Sequence, residues 1–239
     1  ALGTDALRIL SEIPLAIDPN EVLRFQGYQR AGDPGPVVQS LFDEALALGR
    51  RLMEPRAAVR WVAVSQEGDA LHAEDVVFTI PGIADQWGPV ERLAAAVCTI
   101  GPALEGRVAE LWAARELPLA AMLDSVGSGA VESLAEFVND LLCQEGIARD
   151  LRVTNRISPG YGHWDVAEQR TLFRFCPGDA IGVVLNDACF MIPEKSITLL
   201  AGAGPDARVD HYFSQCARCW MRDCAYRRAP ARRTVHRSS

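Results

Sequence analysis

The chain has 239 residues, 49% of them hydrophobic and 23% charged, enough to bury a core without disulfides or metals, and this excludes a wholly disordered, collagen-like or coiled-coil protein. The formal charge of -7 is uneven: Arg227, Arg228, Arg232, Arg233 and Arg237 fall in the last thirteen residues, and taking these five from the 24 basic residues leaves 19 against 31 acids over residues 1–226. Such a body repels nucleic acid, no apolar stretch approaches the roughly 18 residues of a membrane span, and seven cysteines without a visible export signal point to a cytoplasmic protein with reduced thiols or a metal site.

Asp18-Pro19-Asn20-Glu21 supplies a cap, a proline at the first helical position and a glutamate three residues after the cap, which predicts a short helix ending at Gly27. Val37, Val38, Leu41, Phe42, Ala45, Leu46 and Leu52 recur at helical spacing and predict a helix over 36–52. Ala57 to Gln66, Val76 to Ile80 and Ala94 to Ile100 read as strands, the last leading through Gly101-Pro102 into a helix over 103–116. From Leu119 to Cys143 an apolar stripe predicts a long helix. Gly127, Ser128, Gly129 and Ala130 within it are small enough for another backbone, or a ligand, to come close.

Beyond that helix, Leu151–Ile157 reads as a strand, Ser158 to Gly162 as a loop, and Asp165 with Glu168 as the start of a helix running to Phe175. Strand character returns at Ala180–Leu185 and Ser196–Ala201. No repeat or Pro/Ser-rich linker divides the chain, so the expectation is one α/β domain with a mixed sheet over residues 1–226. The remainder, 227–239, is expected to be a flexible basic tail.

Most catalytic signatures are absent: there is no phosphate-binding loop, no His-Glu-x-x-His and no Gly-x-Ser-x-Gly. Two features remain. In Arg156-Ile157-Ser158-Pro159-Gly160-Tyr161 a strand runs into a proline- and glycine-shaped bend flanked by a guanidinium and a phenol. Such a bend suits a small zwitterion bearing an aromatic base, although by itself the plainer reading of these residues is a surface turn with an arginine ion pair. The second feature is Cys216, Cys219 and Cys224, three thiols at C-x2-C-x4-C spacing within the Cys-rich segment 211–226. They could converge on zinc or an iron–sulfur cluster, with Cys189, Cys176 or His211 completing the set, or they are free thiols in a reducing compartment.

The run from Arg156 to Asp165, continuing through Gln169 and Leu172-Phe173 to Ile181-Gly182-Val183 and Met191-Ile192-Pro193-Glu194-Lys195-Ser196, resembles the activation (AdoMet-binding) domain of cobalamin-dependent methionine synthase, in its free-standing bacterial form. The resemblance extends through Thr99-Ile100-Gly101, Leu123 to Ser128 and the Cys motif. It implies an α+β domain whose central twisted sheet is largely antiparallel and flanked by helices. It also implies S-adenosyl-L-methionine (AdoMet) as ligand, with Arg156 on its carboxylate, Ser158, Pro159, Gly160 and Tyr161 as its bed, and Glu132 meeting its amino group. Leu185-Asn186-Asp187-Ala188 departs from the family's Leu-Thr-Glu-Ser, with Asp187 retaining a carboxylate. The implied role is reductive reactivation of a corrinoid methyltransferase, as an accessory component in methionine biosynthesis. The implied partners are a corrinoid protein, or a methionine synthase lacking its own activation domain, which carries the cobalamin, and an electron donor such as flavodoxin or ferredoxin. The alternative expectation is a metal protein that transfers electrons to, or docks on, a corrinoid protein without binding AdoMet.

Overall fold

Local chemistry sets the first elements. In the computed structural model, which describes residues 6–28 and 34–210, strand β1 (Arg8–Ser11) is followed by helix α1 (Pro19–Phe25), where Asp18 accepts from Asn20 N at 2.9 Å and Pro19 opens the helix. Helix α2 (Pro36–Leu52) has the predicted bounds. The apolar run after it is two strands, β2 (Arg56–Ala63) and β3 (Ser65–Glu67), separated at Val64, whose N–H leaves the ladder and donates to Glu91 O.

Strand β3 continues through a turn into β4 (Ala70–Ala73) and β5 (Val76–Thr79), a three-stranded meander. Sequence periodicity did not predict β4, nor the short helix α3 (Ile83–Trp87) that follows β5. The Asp69 carboxylate ties the turn to α3, accepting from Ala84 N at 3.0 Å and Gly82 N at 2.8 Å, and these bonds hold its pKa below the ordinary aspartate value. Strand β6 (Arg92–Thr99) leads into α4 (Ala103–Ala113) and α5 (Leu117–Ile147), then β7 (Arg152–Val153), α6 (Gln169–Phe175), β8 (Val184–Leu185), β9 (Met191–Ile192) and β10 (Ser196–Gly204).

The main sheet has the order β1-β2-β6-β10-β7, and each of its pairings is antiparallel. Both faces are covered. Ala57, Val59, Ala94, Ala96, Leu199 and Ala201 point to one core with α5, and Ala58, Val62, Ala95, Val97 and Leu200 point to the other, with Phe78, Trp87, Trp164 and Phe175. Alanine is a poor strand former, but a strand covered on both sides can use small side chains to admit the 31-residue helix α5 on one face and large rings on the other. On the helix side Trp61 Nε1 donates to Glu145 Oε2 at 2.8 Å, and Arg8 grips the same carboxylate at 2.7 and 2.9 Å, fastening β1 and β2 to α5.

Two expected strands are shorter than predicted. Within 151–157, pairing with β10 occurs at Arg152–Val153 and again as a single bridge, Ile157 with Leu200. From Val153 to Ile157 the chain takes four steps while its partner, Ala203 to Leu200, takes three, so one extra residue bulges out. At Ala180–Leu185 a 3-10 turn over Asp179–Ile181 and Gly182 at φ +78° leave only Val184–Leu185 extended.

Candidate functional site

The bulge sits directly ahead of the Ser158 to Tyr161 bend. Gly160 takes φ +92°, in the left-handed region that a side chain disfavours, and its N–H donates to Trp164 O at 2.9 Å. Tyr161 N donates to Ser158 O at 3.3 Å, and Ser158 Oγ donates to Thr198 O at 2.5 Å, which anchors the bend to β10. Pro159 and Tyr161 then form one side of an open trough of about 320 Å³ whose other sides come from α1, α5, α6 and the β9–β10 connection.

Phe25 of α1, Val131 and Glu132 of α5, and Met191, Glu194, Lys195 and Ile197 line it together with the bend. The small residues of α5 divide between two uses. Gly127 and Gly129 serve packing: a Cβ on Gly127 would lie 2.8 Å from Leu104 Cδ2, and one on Gly129 2.9 Å from Val22 Cγ2. Ser128 serves the trough, its Oγ 3.0 Å from Lys195 Nζ, which also pairs with Asp124 Oδ1 at 2.7 Å.

Glu132, Ser158, Pro159 and Tyr161 come together as trough-lining residues, and Gly160 completes the bend between them. Arg156 stands beside them without lining the trough; its Nη2 lies 3.2 Å from Glu132 Oε2 and 2.8 Å from Glu136 Oε1. Burial opposes its charge, but the carboxylates of Glu136 and Glu132 outweigh that and hold its pKa above the ordinary arginine value. Asp187 lies apart, exposed on the β8–β9 turn, where its carbonyl accepts from Arg170. Sequence reasoning did not assign Phe25, Val131 or Thr198 to a site, because they come from three elements distant in the chain; Ser128 was marked only as one of the small residues that a backbone or a ligand could approach. Glu194 and Lys195 carried the family resemblance, and that was the signal available.

Cys216, Cys219, Cys224 and His211 lie outside the described residues, as does the basic tail. Among the described residues, no group of three or more His, Cys, Asp or Glu side chains is arranged to hold a metal ion. The two cysteines considered as further ligands are committed elsewhere. Cys176 lies beneath the sheet with Sγ 3.5 Å from Ala58 O, and burial pushes its thiol pKa up to about 12; Cys189 Sγ accepts from Arg170 Nη1 at 2.7 Å. No described helix is long and apolar enough to cross a membrane.

An antiparallel five-stranded sheet between a helical layer and a small meander, with a trough where α5 meets a glycine–tyrosine bend, defines the fold class. The chain has the fold of the methionine synthase activation domain: it superposes on the crystal structure of the MetH reactivation domain bound to AdoHcy with a TM-score of 0.63, over 88% of this chain and 81% of that one, at 15% sequence identity. No family model and no curated protein sequence matches it.

Proposed function

We propose that this chain is an accessory reactivation module that holds AdoMet in the trough and presents it to a corrinoid cofactor carried by a partner protein. The observation that carries the reading is the joining of Glu132, Tyr161 and the Ser158–Pro159 bend in one trough, within the fold of a domain solved with AdoHcy.

The residues present fit such a ligand. The volume lies at the lower end of small-molecule sites, which suits an extended molecule left partly open to a partner. Glu132 and Glu194 offer carboxylates to an ammonium and a sulfonium, while Phe25, Met191 and Tyr161 offer apolar faces to a base. Arg156 and Lys195 are the cations nearest to receive a carboxylate, each already balanced by acids of α5.

Bound AdoMet supplies a methyl group activated on sulfur, whose transfer to reduced corrinoid cobalt leaves AdoHcy. A donor so activated needs placement and a matching electrostatic bed, with no general base. This chain's residues therefore bind, orient and expose the donor. The partner fits as a corrinoid protein, such as a methionine synthase lacking its own activation domain, served by a flavodoxin- or ferredoxin-type reductant.

Calorimetric titration of the full chain with AdoMet and AdoHcy tests the reading. Saturable binding is expected, weakened in Arg156→Ala, which leaves Glu132 at the trough wall without its guanidinium partner. Absence of both heat and thermal stabilisation with either ligand would overturn it.

A further inference from the structure

Four polar side chains that line the trough are almost wholly buried: Ser158, Gln169, Ser196 and Thr198, exposed by 3%, 5%, 8% and 0%. The three hydroxyls spend their protons on the protein. Ser158 Oγ donates to Thr198 O, Ser196 Oγ to Pro193 O at 2.7 Å, and Thr198 Oγ1 to Gln169 Oε1 at 3.0 Å. That last bond engages the Gln169 amide through Oε1. The two protons of Nε2 are left with no acceptor among the described residues. Nε2 is not among the fully buried unpaired atoms, so on this largely buried side chain it is the polar atom that reaches the open trough, where a ligand acceptor can take its bond in place of water.

We infer that Gln169 is the base-reading residue of the trough, its Nε2 donating to a ring nitrogen of a neutral heteroaromatic ring of the adenine type. The inference rests on the AdoMet reading above and names the group that makes the trough selective.

Charge favours a neutral ring over an anion at this position. Glu132 and Glu194 line the same space, and Lys195 is already engaged by Asp124 and Ser128. An additional carboxylate would face those acids, whereas a flat ring meets Phe25, Val131, Met191 and Ile197. The planar amide also matches an adenine edge. Nε2 donates to a ring nitrogen, and Oε1 keeps a second lone pair that can accept from the exocyclic amine, the pairing by which glutamine and asparagine read adenine elsewhere.

The test is equilibrium titration of the full chain, Gln169→Glu and Gln169→Leu with AdoHcy and its 1-, 3- and 7-deaza analogues, with thermal unfolding followed in parallel. Gln169→Glu keeps an oxygen for the Thr198 hydroxyl and replaces the amide donor by an acceptor, so it carries the test if Gln169→Leu does not fold. Both variants are expected to lose about tenfold or more in AdoHcy affinity. One deaza analogue should bind the unmodified chain correspondingly weakly and show no further loss in the variants. Equal losses for every analogue, or none for AdoHcy, would overturn the inference while leaving the AdoMet reading standing. Failure of the unmodified chain to bind any of these ligands overturns the reading itself and the inference with it.

Discussion

Arg156 bridges two carboxylates one helical turn apart on α5, with its Nη2 3.2 Å from Glu132 Oε2 and 2.8 Å from Glu136 Oε1. Acids at this spacing repel one another. A guanidinium delivered from the bulge after β7 offsets that repulsion and joins the bend to the long helix.

The two acids should separate by function. Glu132 lines the trough, whereas Glu136 does not and has a side chain 58% exposed. Glu132→Gln is expected to weaken AdoMet binding by about tenfold or more, and Glu136→Gln by less than about threefold, because only the first removes a charge that reaches the ligand. Calorimetry on both variants checks this; equal losses would place the ligand outside the trough.

Tyr161 is 45% exposed and part of the trough's lining. Tyr161→Ala is therefore expected to change stability by less than about 0.5 kcal/mol, as surface substitutions do, while lowering ligand affinity severalfold. Denaturant titration read beside ligand titration gives both numbers.

Alkaline pH should loosen the fold through its buried thiols. Burial pushes Cys98 and Cys176 up to about 12 from an ordinary value of 9.0, and Arg156 offsets part of this at Cys98. Both thiols are neutral below pH 9 whether the chain is folded or not. Above that, the unfolded chain ionises first, so stability falls as pH rises from about 9 toward 12. Melting temperatures across this range should decline, and Cys176→Ala should flatten part of the decline.

Glycine substitutions should divide by what the new methyl meets. At Gly202 on β10 a Cβ would lie 2.8 Å from the Trp87 ring and 2.7 Å from Val90 Cγ1, so Gly202→Ala is expected to cost about 1–3 kcal/mol. At exposed Gly106, inside α4, nothing lies within 4 Å, and Gly106→Ala should stabilise by about 0.4–1 kcal/mol. Urea unfolding of the two variants measures both.

Local and near-neighbour chemistry made most elements legible from the sequence. The Asp18-Pro19 start of α1, the bounds of α2, the apolar stripe of α5 and the Asp165 cap, which accepts from Ala167 N at 2.8 Å, all follow from interactions within a few residues. The Arg156 to Ser196 motifs likewise pointed to the family fold that the superposition shows. Tertiary structure alone decided the rest. The bulge between Val153 and Ile157 exists only against β10, and β4 and α3 are held by the meander and the Asp69 carboxylate. The pairing of Arg156 with Glu132 and Glu136, and the meeting of Phe25, Gln169 and Lys195 around one trough, join residues from across the chain. Periodicity reports which face of an element is apolar; which side chains then face each other across a gap is set by how the elements pack, and binding chemistry depends on that packing.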